Sequence, residues 1–232
     1  MSMRKRILLL FLTIIFINQY GYTAGIQIGR TRIIYDASKK EVALSLINTE
    51  DELPWLIQSW TDTGDEKTRG PFIITPPLFR LDAHKEQSLR ITWTGAPLPT
   101  DRESLFYMNI RTIPASVKND EKQNTLRMVY KSRFKIFWRP KDLPGSSSET
   151  CTNLRFRSNG GQLYITNDGA FYSVFDSLKI GSTMVKNIDM IAPKATITLP
   201  LVNHTGGNEV LWRCITDYGN ASELKRSVLS QE

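Results

Sequence analysis

Two cations, Arg32 and Lys135, are the residues of this sequence best placed to do chemistry. Alternating apolar and polar residues predict a first strand over residues 26–35, which contains Arg32, and a later strand that contains Lys135. If the two strands meet, their positive charges repel each other until an anion arrives. A carboxylate would satisfy both through charge-assisted hydrogen bonds. Two unrelated surface cations are the simpler interpretation of the sequence alone.

Catalytic motifs are absent from the sequence. His84 and His204 are its only histidines, and they fall in different predicted domains. The common nucleophile, metalloprotease, phosphate-binding and dinucleotide-binding motifs do not occur, and no cysteines have zinc-binding spacing. We therefore expect a protein that is not an enzyme and that uses no cofactor and no metal.

The only two cysteines, Cys151 and Cys214, lie in the second half of the chain. An oxidising compartment would permit a disulfide between them. Closing so long a loop would stabilise the fold by about 4 kcal/mol in the chain-entropy model. We expect the disulfide to tie two strands of a second domain together, and two buried free thiols are the alternative.

Residues 1–24 have the form of a secretory signal peptide, with three basic residues at 4–6, an apolar run over 7–17 and a cleavage site after Ala24. The apolar run is shorter than the roughly 20 residues of a membrane span, so an uncleaved anchor is the less favoured alternative. Loss of this segment lowers the formal net charge from +7 to +4. Such a modest balance suits carboxylates or acidic protein surfaces better than nucleic acid.

The longest alternating segment runs from Leu126 to Pro140. Most even positions are apolar or aromatic and most odd positions are basic, a pattern that predicts a long β-strand with one face toward a core. The segment is longer than the usual strand of about 5–6 residues. Part of it could therefore form an edge offered to another chain, and a half-buried strand of an ordinary sandwich is the alternative.

The remaining sequence predicts an all-β fold. Its 232 residues indicate two small domains, and residues 25–140 contain about seven or eight short alternating segments, the spacing of an immunoglobulin-like sandwich. Proline, glycine and serine make residues 140–148 the predicted linker. We predict two immunoglobulin-like β-sandwich domains, over residues 25–142 and 149–232, with no assignment for the tail over residues 221–232.

Specific motifs lie mainly in the first half. They are residues 30–35 (RTRIIY), 54–60 (PWLIQSW), 71–81 (PFIITPPLFRL), 101–107 (DRESLFY) and 135–140 (KIFWRP), with weaker ones at 167–169 (NDG) and 216–219 (TDYG). With these motifs the chain resembles, from residue 25 to about 218, a periplasmic pilus-assembly chaperone of the immunoglobulin-like kind. Such chaperones are partners of an outer-membrane usher.

This resemblance implies two domains set at an angle, with a cleft between them. It implies that Arg32 and Lys135 hold the C-terminal carboxylate of a fimbrial subunit. It also implies that Leu126, Met128 and Tyr130 enter the groove of an incomplete pilin fold as a donor strand, a mode of recognition for which chaperone–pilin complexes are an established example. Tyr130 is aromatic where an aliphatic residue is common, which implies a wider or shallower subunit pocket.

An interdomain salt bridge is implied for Glu103, Arg139 and Asp217, whose opposite charges near the linker would fix the domain angle. The short connection over residues 115–124, and the lack of cysteine in the first domain, resemble the short-loop subfamily that assembles rod-like pili.

The function implied by the resemblance is a periplasmic chaperone that binds and caps fimbrial subunits and delivers them to the usher. Neither nucleic acid nor stable membrane insertion is expected. The apolar row on the donor strand predicts weak self-association of the free protein through that edge. An exported immunoglobulin-like structural or adhesive pilus component is the alternative.

Overall fold

The computed structural model of the protein describes residues 25–115, 126, 128–201 and 207–231. These residues form two β-sandwiches and one short helix, which confirms the predicted all-β fold with two immunoglobulin-like domains. The predicted signal peptide and His204 lie outside the described residues. None of the described helices is long and apolar enough to span a membrane.

The first sandwich is built from two sheets, one antiparallel and one mixed. Its described strands are β1 (Ile26–Ile28), β2 (Arg32–Asp36), β3 (Val42–Asn48), β4 (Trp55–Asp62), β5 (Phe72–Thr75), β6 (Leu78–Leu81), β7 (Glu86–Trp93), β8 (Ser104–Pro114) and β9 (Tyr130–Arg139). One sheet has the order β1-β3-β7-β5 and the other, in which β2 pairs in parallel with β9, the order β2-β9-β8-β4-β6.

The core of this sandwich follows from the alternation in its strands. Leu44 and Leu46 on β3 belong to the same core as Met108 and Ile110 on β8, and all four side chains are almost completely buried. Burial of each such side chain stabilises the fold by about 1.5–3 kcal/mol. The core therefore fixes which face of β9 and β8 points inward.

The prediction of one strand over residues 26–35 is wrong. β1 pairs antiparallel with β3, whereas β2 pairs in parallel with β9 in the opposite sheet. The chain crosses between the sheets after Gly29, whose N–H donates to the Ser45 carbonyl. The apolar positions shift from even numbers, at Ile26 and Ile28, to odd numbers, at Ile33 and Tyr35, across the crossing, a change that the prediction of a single strand did not take into account. As a result Arg32 begins an edge strand directly beside β9.

The predicted strand from Leu126 to Pro140 is too long at its N-terminal end. β9 begins at Tyr130, where it pairs with Thr112 of β8, and it ends at Arg139. Leu126 and Met128 precede it without regular secondary structure.

The second sandwich follows helix α1 (Ser147–Thr152). Its described strands are β10 (Arg155–Asn159), β11 (Gln162–Asn167), β12 (Ser173–Ile180), β13 (Thr183–Met184), β14 (Met190–Ile191), β15 (Ala195–Pro200), β16 (Glu209–Cys214), β17 (Lys225–Val228) and β18 (Ser230–Gln231). One sheet has the order β15-β11-β10-β18 and the other β13-β12-β16-β17, with β14 paired to β12.

A disulfide joins Cys151 to Cys214. It ties α1 to β16, so the expectation that it would connect two strands is wrong, because Cys151 lies in a helix capped by Ser146.

The tail also has structure that the sequence did not reveal. β17 pairs with β16, β18 pairs in parallel with β10, and Leu229 between them is buried in the core.

Candidate functional site

The open edge of β9 is the first element of the candidate site. On one side, β9 pairs with β8 from Tyr130 to Trp138. On the other side, it pairs with β2 only from Lys135 to Arg139. In the described part of the chain, no strand pairs with residues 130–134 on that second side. The backbone N–H and C=O groups there are available to a further strand.

Apolar side chains are exposed beside this edge. Ile136 and Trp138 lie on the core face of β9 and are buried, whereas Tyr130 on the same strand is 52% exposed. Before the strand, Met128 is 56% and Leu126 is 90% exposed. The Tyr130 ring contacts only the rim of the core, with its centroid 6.4 Å from that of Trp55. The apolar side of this segment thus continues past the end of the protein's own core.

The cation pair lies where the open edge ends. Arg32 and Lys135 are direct neighbours in the parallel register of β2 and β9. Arg32 is only 9% exposed, and its Nη1 donates to the Ile215 carbonyl over 3.3 Å. Lys135 Nζ lies 2.5 Å from a carboxylate oxygen of Asp189. Because Ile215 and Asp189 belong to the second sandwich, the pair lies in the cleft between the domains.

Arg32 is the less satisfied of the two cations. Burial lowers its pKa, and the negative charges of Asp217 and Asp189 oppose that shift. Among the described protein groups, none accepts a hydrogen bond from Arg32 Nε. A partly desolvated guanidinium with a spare donor is suited to binding an anion.

A buried charge network joins the two sandwiches. Arg139 makes a bidentate contact with Asp217, with Nη1–Oδ2 and Nη2–Oδ1 distances of 2.9 and 3.1 Å, and its Nε donates to Glu103 over 2.9 Å. The Tyr172 N–H donates to the other Glu103 oxygen over 2.8 Å, and Ser147 Oγ donates to Asp217 over 3.1 Å. The structure therefore brings together the three residues expected to form an interdomain salt bridge.

The network holds a carboxylate that is 3% exposed. Burial raises the pKa of Glu103, and the charge of Arg139 together with the Tyr172 N–H limits the rise. Burial alone would lower the pKa of Arg139, but its hydrogen bonds to Asp217 and the charge of Glu103 raise it overall. The charge of Arg139 thus favours the ionised form of the buried Glu103.

Close backbone contact also fixes the interface. Gly219 has a φ of +92°, and a Cβ built on it would overlap the Thr31 hydroxyl of the first domain. Glycine is the residue that tolerates such a conformation and such an approach. The Phe137 and Tyr172 rings meet across the same interface, with centroids 5.5 Å apart. This explains why the motif over residues 216–219 ends in glycine.

The basic face of β9 is occupied within the first domain. Arg133 Nη2 lies 2.7 Å from the buried Asp62 carboxylate, and its guanidinium carbon lies 3.8 Å from the centroid of the Tyr107 ring. Lys131 Nζ lies 2.6 Å from the Glu66 carboxylate. The sequence predicted that these cations face water or a partner. It did not predict the acids that neutralise them. These contacts brace the open part of β9 against the loop that follows β4.

A pH test follows from Asp65, which organises that loop. Hydrogen bonds from the Thr68 hydroxyl, the Thr68 N–H and the Lys67 N–H lower the pKa of Asp65 to about 2. Because a lowered carboxyl pKa stabilises the ionised folded form, this contribution is present above the ordinary value of about 3.9 and is lost as the pH falls toward 2. We expect an NMR titration to find Asp65 at about 2, with a clear rise in a Thr68→Val variant. Titration of Asp65 at its ordinary value in the parent protein would contradict this account.

Among the described residues, no group of three or more His, Cys, Asp and Glu side chains could hold a metal ion.

Family profiles match both halves of the chain. The pili and flagellar-assembly chaperone profile of the PapD N-terminal domain matches residues 25–144, and the pili assembly chaperone PapD C-terminal domain matches residues 149–226. The chain therefore belongs to the PapD-like family of pilus-assembly chaperones, a family of chaperones and not of enzymes. The resemblance seen in the sequence is confirmed.

Individual relatives agree with this assignment. The chain is 38% identical over 195 residues to the probable fimbrial chaperone protein ElfD of Escherichia coli O157:H7, covering 84% of this chain and 83% of ElfD. It is 35% identical over 215 residues to the chaperone protein LpfB of Salmonella typhimurium, covering 92% and 93%. A chain from the complex of the Salmonella enterica SafA pilin with the SafB chaperone matches with a TM-score of 0.81 and 31% identity, covering 90% and 98%.

Proposed function

We propose that this protein is a periplasmic chaperone that binds fimbrial subunits by donating the edge of β9, caps their interactive surface and delivers them to the outer-membrane usher. The observation that carries the proposal is the open edge of β9, which is lined by exposed apolar side chains and ends at two adjacent cations. Relatives that are named fimbrial chaperones, and a structural neighbour from a chaperone–pilin complex, support it.

The direction of the added strand follows from the position of the cations. Lys135 lies at the C-terminal end of the open edge, residues 130–134, and Arg32 lies beside it. A subunit strand whose terminal carboxylate reaches this pair must therefore run in the same direction as β9. In that arrangement β2 begins where the added strand stops, so the cations set the register of pairing.

The apolar residues supply the second half of the recognition. A pilin fold that lacks a strand exposes an apolar groove and unpaired backbone groups, which are aggregation hazards. Backbone pairing with the open edge satisfies those groups, while Leu126, Met128 and Tyr130 fill the groove. Their exposure in the free protein is also the basis for weak self-association through the same edge.

Export to the periplasm follows from the signal peptide predicted at residues 1–24. The alternative of a structural pilus component fits less well, because the described chain holds two sandwiches with cores of their own. In size-exclusion chromatography we expect the mature protein to behave as a small species, in contrast to a polymerising subunit.

The cation pair provides the direct test. We expect Arg32→Ala and Lys135→Ala variants, expressed at normal levels, to lose most of the fimbrial subunit that co-purifies with the parent from the periplasm. Each loses a charge-assisted hydrogen bond worth about 1.5–3 kcal/mol.

Arg30→Ala is the matched control, because Arg30 is an exposed cation two residues from Arg32, and its variant should recover subunit normally. Normal recovery with Lys135→Ala would show that the pair does not hold the subunit.

A further inference from the structure

Lys135 already has an anionic partner in the free protein. Its Nζ lies 2.5 Å from Asp189 Oδ1, which belongs to the segment before β14 of the second domain. The Lys135 side chain is 21% exposed, whereas the Asp189 side chain is 66% exposed. The backbone of Asp189 is fixed, since its carbonyl accepts a hydrogen bond from the Phe175 N–H over 2.8 Å. The carboxylate can therefore turn into water without movement of the chain.

We propose that Asp189 is a built-in competitor for the anion site: its carboxylate occupies Lys135 in the free protein and must leave before the terminal carboxylate of a bound chain can take its place. This inference rests on the proposed function, because it assumes that Lys135 binds that terminal carboxylate.

The exchange replaces one carboxylate by another. The Coulomb energy that Lys135 gains from a ligand is therefore reduced by the loss of its contact with Asp189, which returns to solvent. The influence of Asp189 also reaches the rest of the cleft, because its charge acts on Arg32 and on Tyr107. In the free protein the charge of Lys135 is therefore largely neutralised by Asp189. A terminal carboxylate binds more weakly, and dissociates more readily, than it would if both cations in the cleft were unpaired. Reversibility is useful to a protein that has to hand its ligand on.

The size of the effect follows from the exposure of the pair. Because the Asp189 side chain is 66% exposed, its pair with Lys135 contributes about as much as a surface ion pair, up to about 1 kcal/mol. Removing the Asp189 charge should therefore tighten binding of a terminal carboxylate by roughly two- to fivefold. A ligand without that carboxylate does not compete with Asp189 and should bind unchanged.

Two peptides separate these cases. The probe is a synthetic strand of alternating valine and threonine with lysines at its N-terminus for solubility, prepared with a free carboxylate and with a C-terminal amide. We expect the purified Asp189→Asn and Asp189→Ala variants to bind the free-acid peptide about two- to fivefold more tightly than the parent, and the amide equally. Asp168→Asn is the matched control, because Asp168 forms an exposed ion pair with Arg155 in the same domain. It should bind both peptides as the parent does.

The outcomes distinguish this inference from the proposed function. If Lys135→Ala keeps the parent's preference for acid over amide, the anion site itself is wrong. If Lys135→Ala loses that preference while the Asp189 variants bind the acid no better than the parent, the site stands and the competitor does not. Tighter binding of the amide by Asp189→Asn would also overturn the inference, because it would indicate a general opening of the cleft.

Discussion

Replacing Arg139 by methionine is expected to destabilise the protein by about 3–5 kcal/mol, the usual result of removing one partner of a buried ion pair. The variant leaves Glu103, which is 3% exposed, without its cation, and it removes the bidentate contact with Asp217. Methionine keeps much of the packing volume of the arginine stem, so the loss reports mainly on charge. Urea unfolding followed by tryptophan fluorescence measures it.

Two further variants identify the cause. Arg102→Met removes a cation whose partner, Asp101, is itself exposed, and it should change stability by at most about 1 kcal/mol. Adding Glu103→Gln to Arg139→Met should recover part of the loss, because a neutral amide costs less to bury than an unpaired carboxylate. An Arg139→Met variant as stable as Arg102→Met would show that the network does not hold the domains.

The sequence predicts the fold well where alternation coincides with pairing. β3 and β8 alternate in the sequence, and each forms a strand with buried apolar residues, β3 paired with β7 and β8 paired with β4 and β9. Apolar residues also continue at alternate positions through Met128, where pairing has stopped, and the shift in the apolar positions between Ile28 and Ile33 does not say which sheet receives each segment. An alternating pattern shows which face of a segment is apolar, but it does not show which sheet the segment joins or which partner its apolar side chains contact.

The candidate site, like the fold, is predicted only in part by the sequence. Arg32 and Lys135 stand out in the sequence as cations on the first and last predicted strands of the first domain, and the charges around Arg139 are identified through the family resemblance. Asp189 escapes such reasoning, since it is an exposed aspartate in an irregular segment and only the tertiary structure carries it to Lys135. The closeness of Gly219 to Thr31 is likewise invisible until the two domains are placed side by side.

Replacing Met128 by glutamate is expected to weaken subunit binding by roughly 10- to 200-fold, the equivalent of about 1.5–3 kcal/mol for one fully buried apolar side chain. The charge adds to this loss, because a carboxylate inside an apolar groove has no cation there. Three apolar residues together outweigh one cation contact, so the apolar row should set affinity while the cation pair sets register. Met128 is 56% exposed in the free protein, so the fold of the first domain should not change.

Met184→Glu is the matched control, since Met184 is 52% exposed on β13 of the second domain, which pairs with β12. Both variants should unfold at the same temperature as the parent, but only Met128→Glu should leave the co-expressed subunit aggregated or degraded in the periplasm. Quantifying the subunit that co-purifies with each variant gives the comparison. Equal recovery with Met128→Glu and with the parent would mean that Met128 does not enter a groove of the subunit, because an added charge is tolerated only where no apolar groove closes over it.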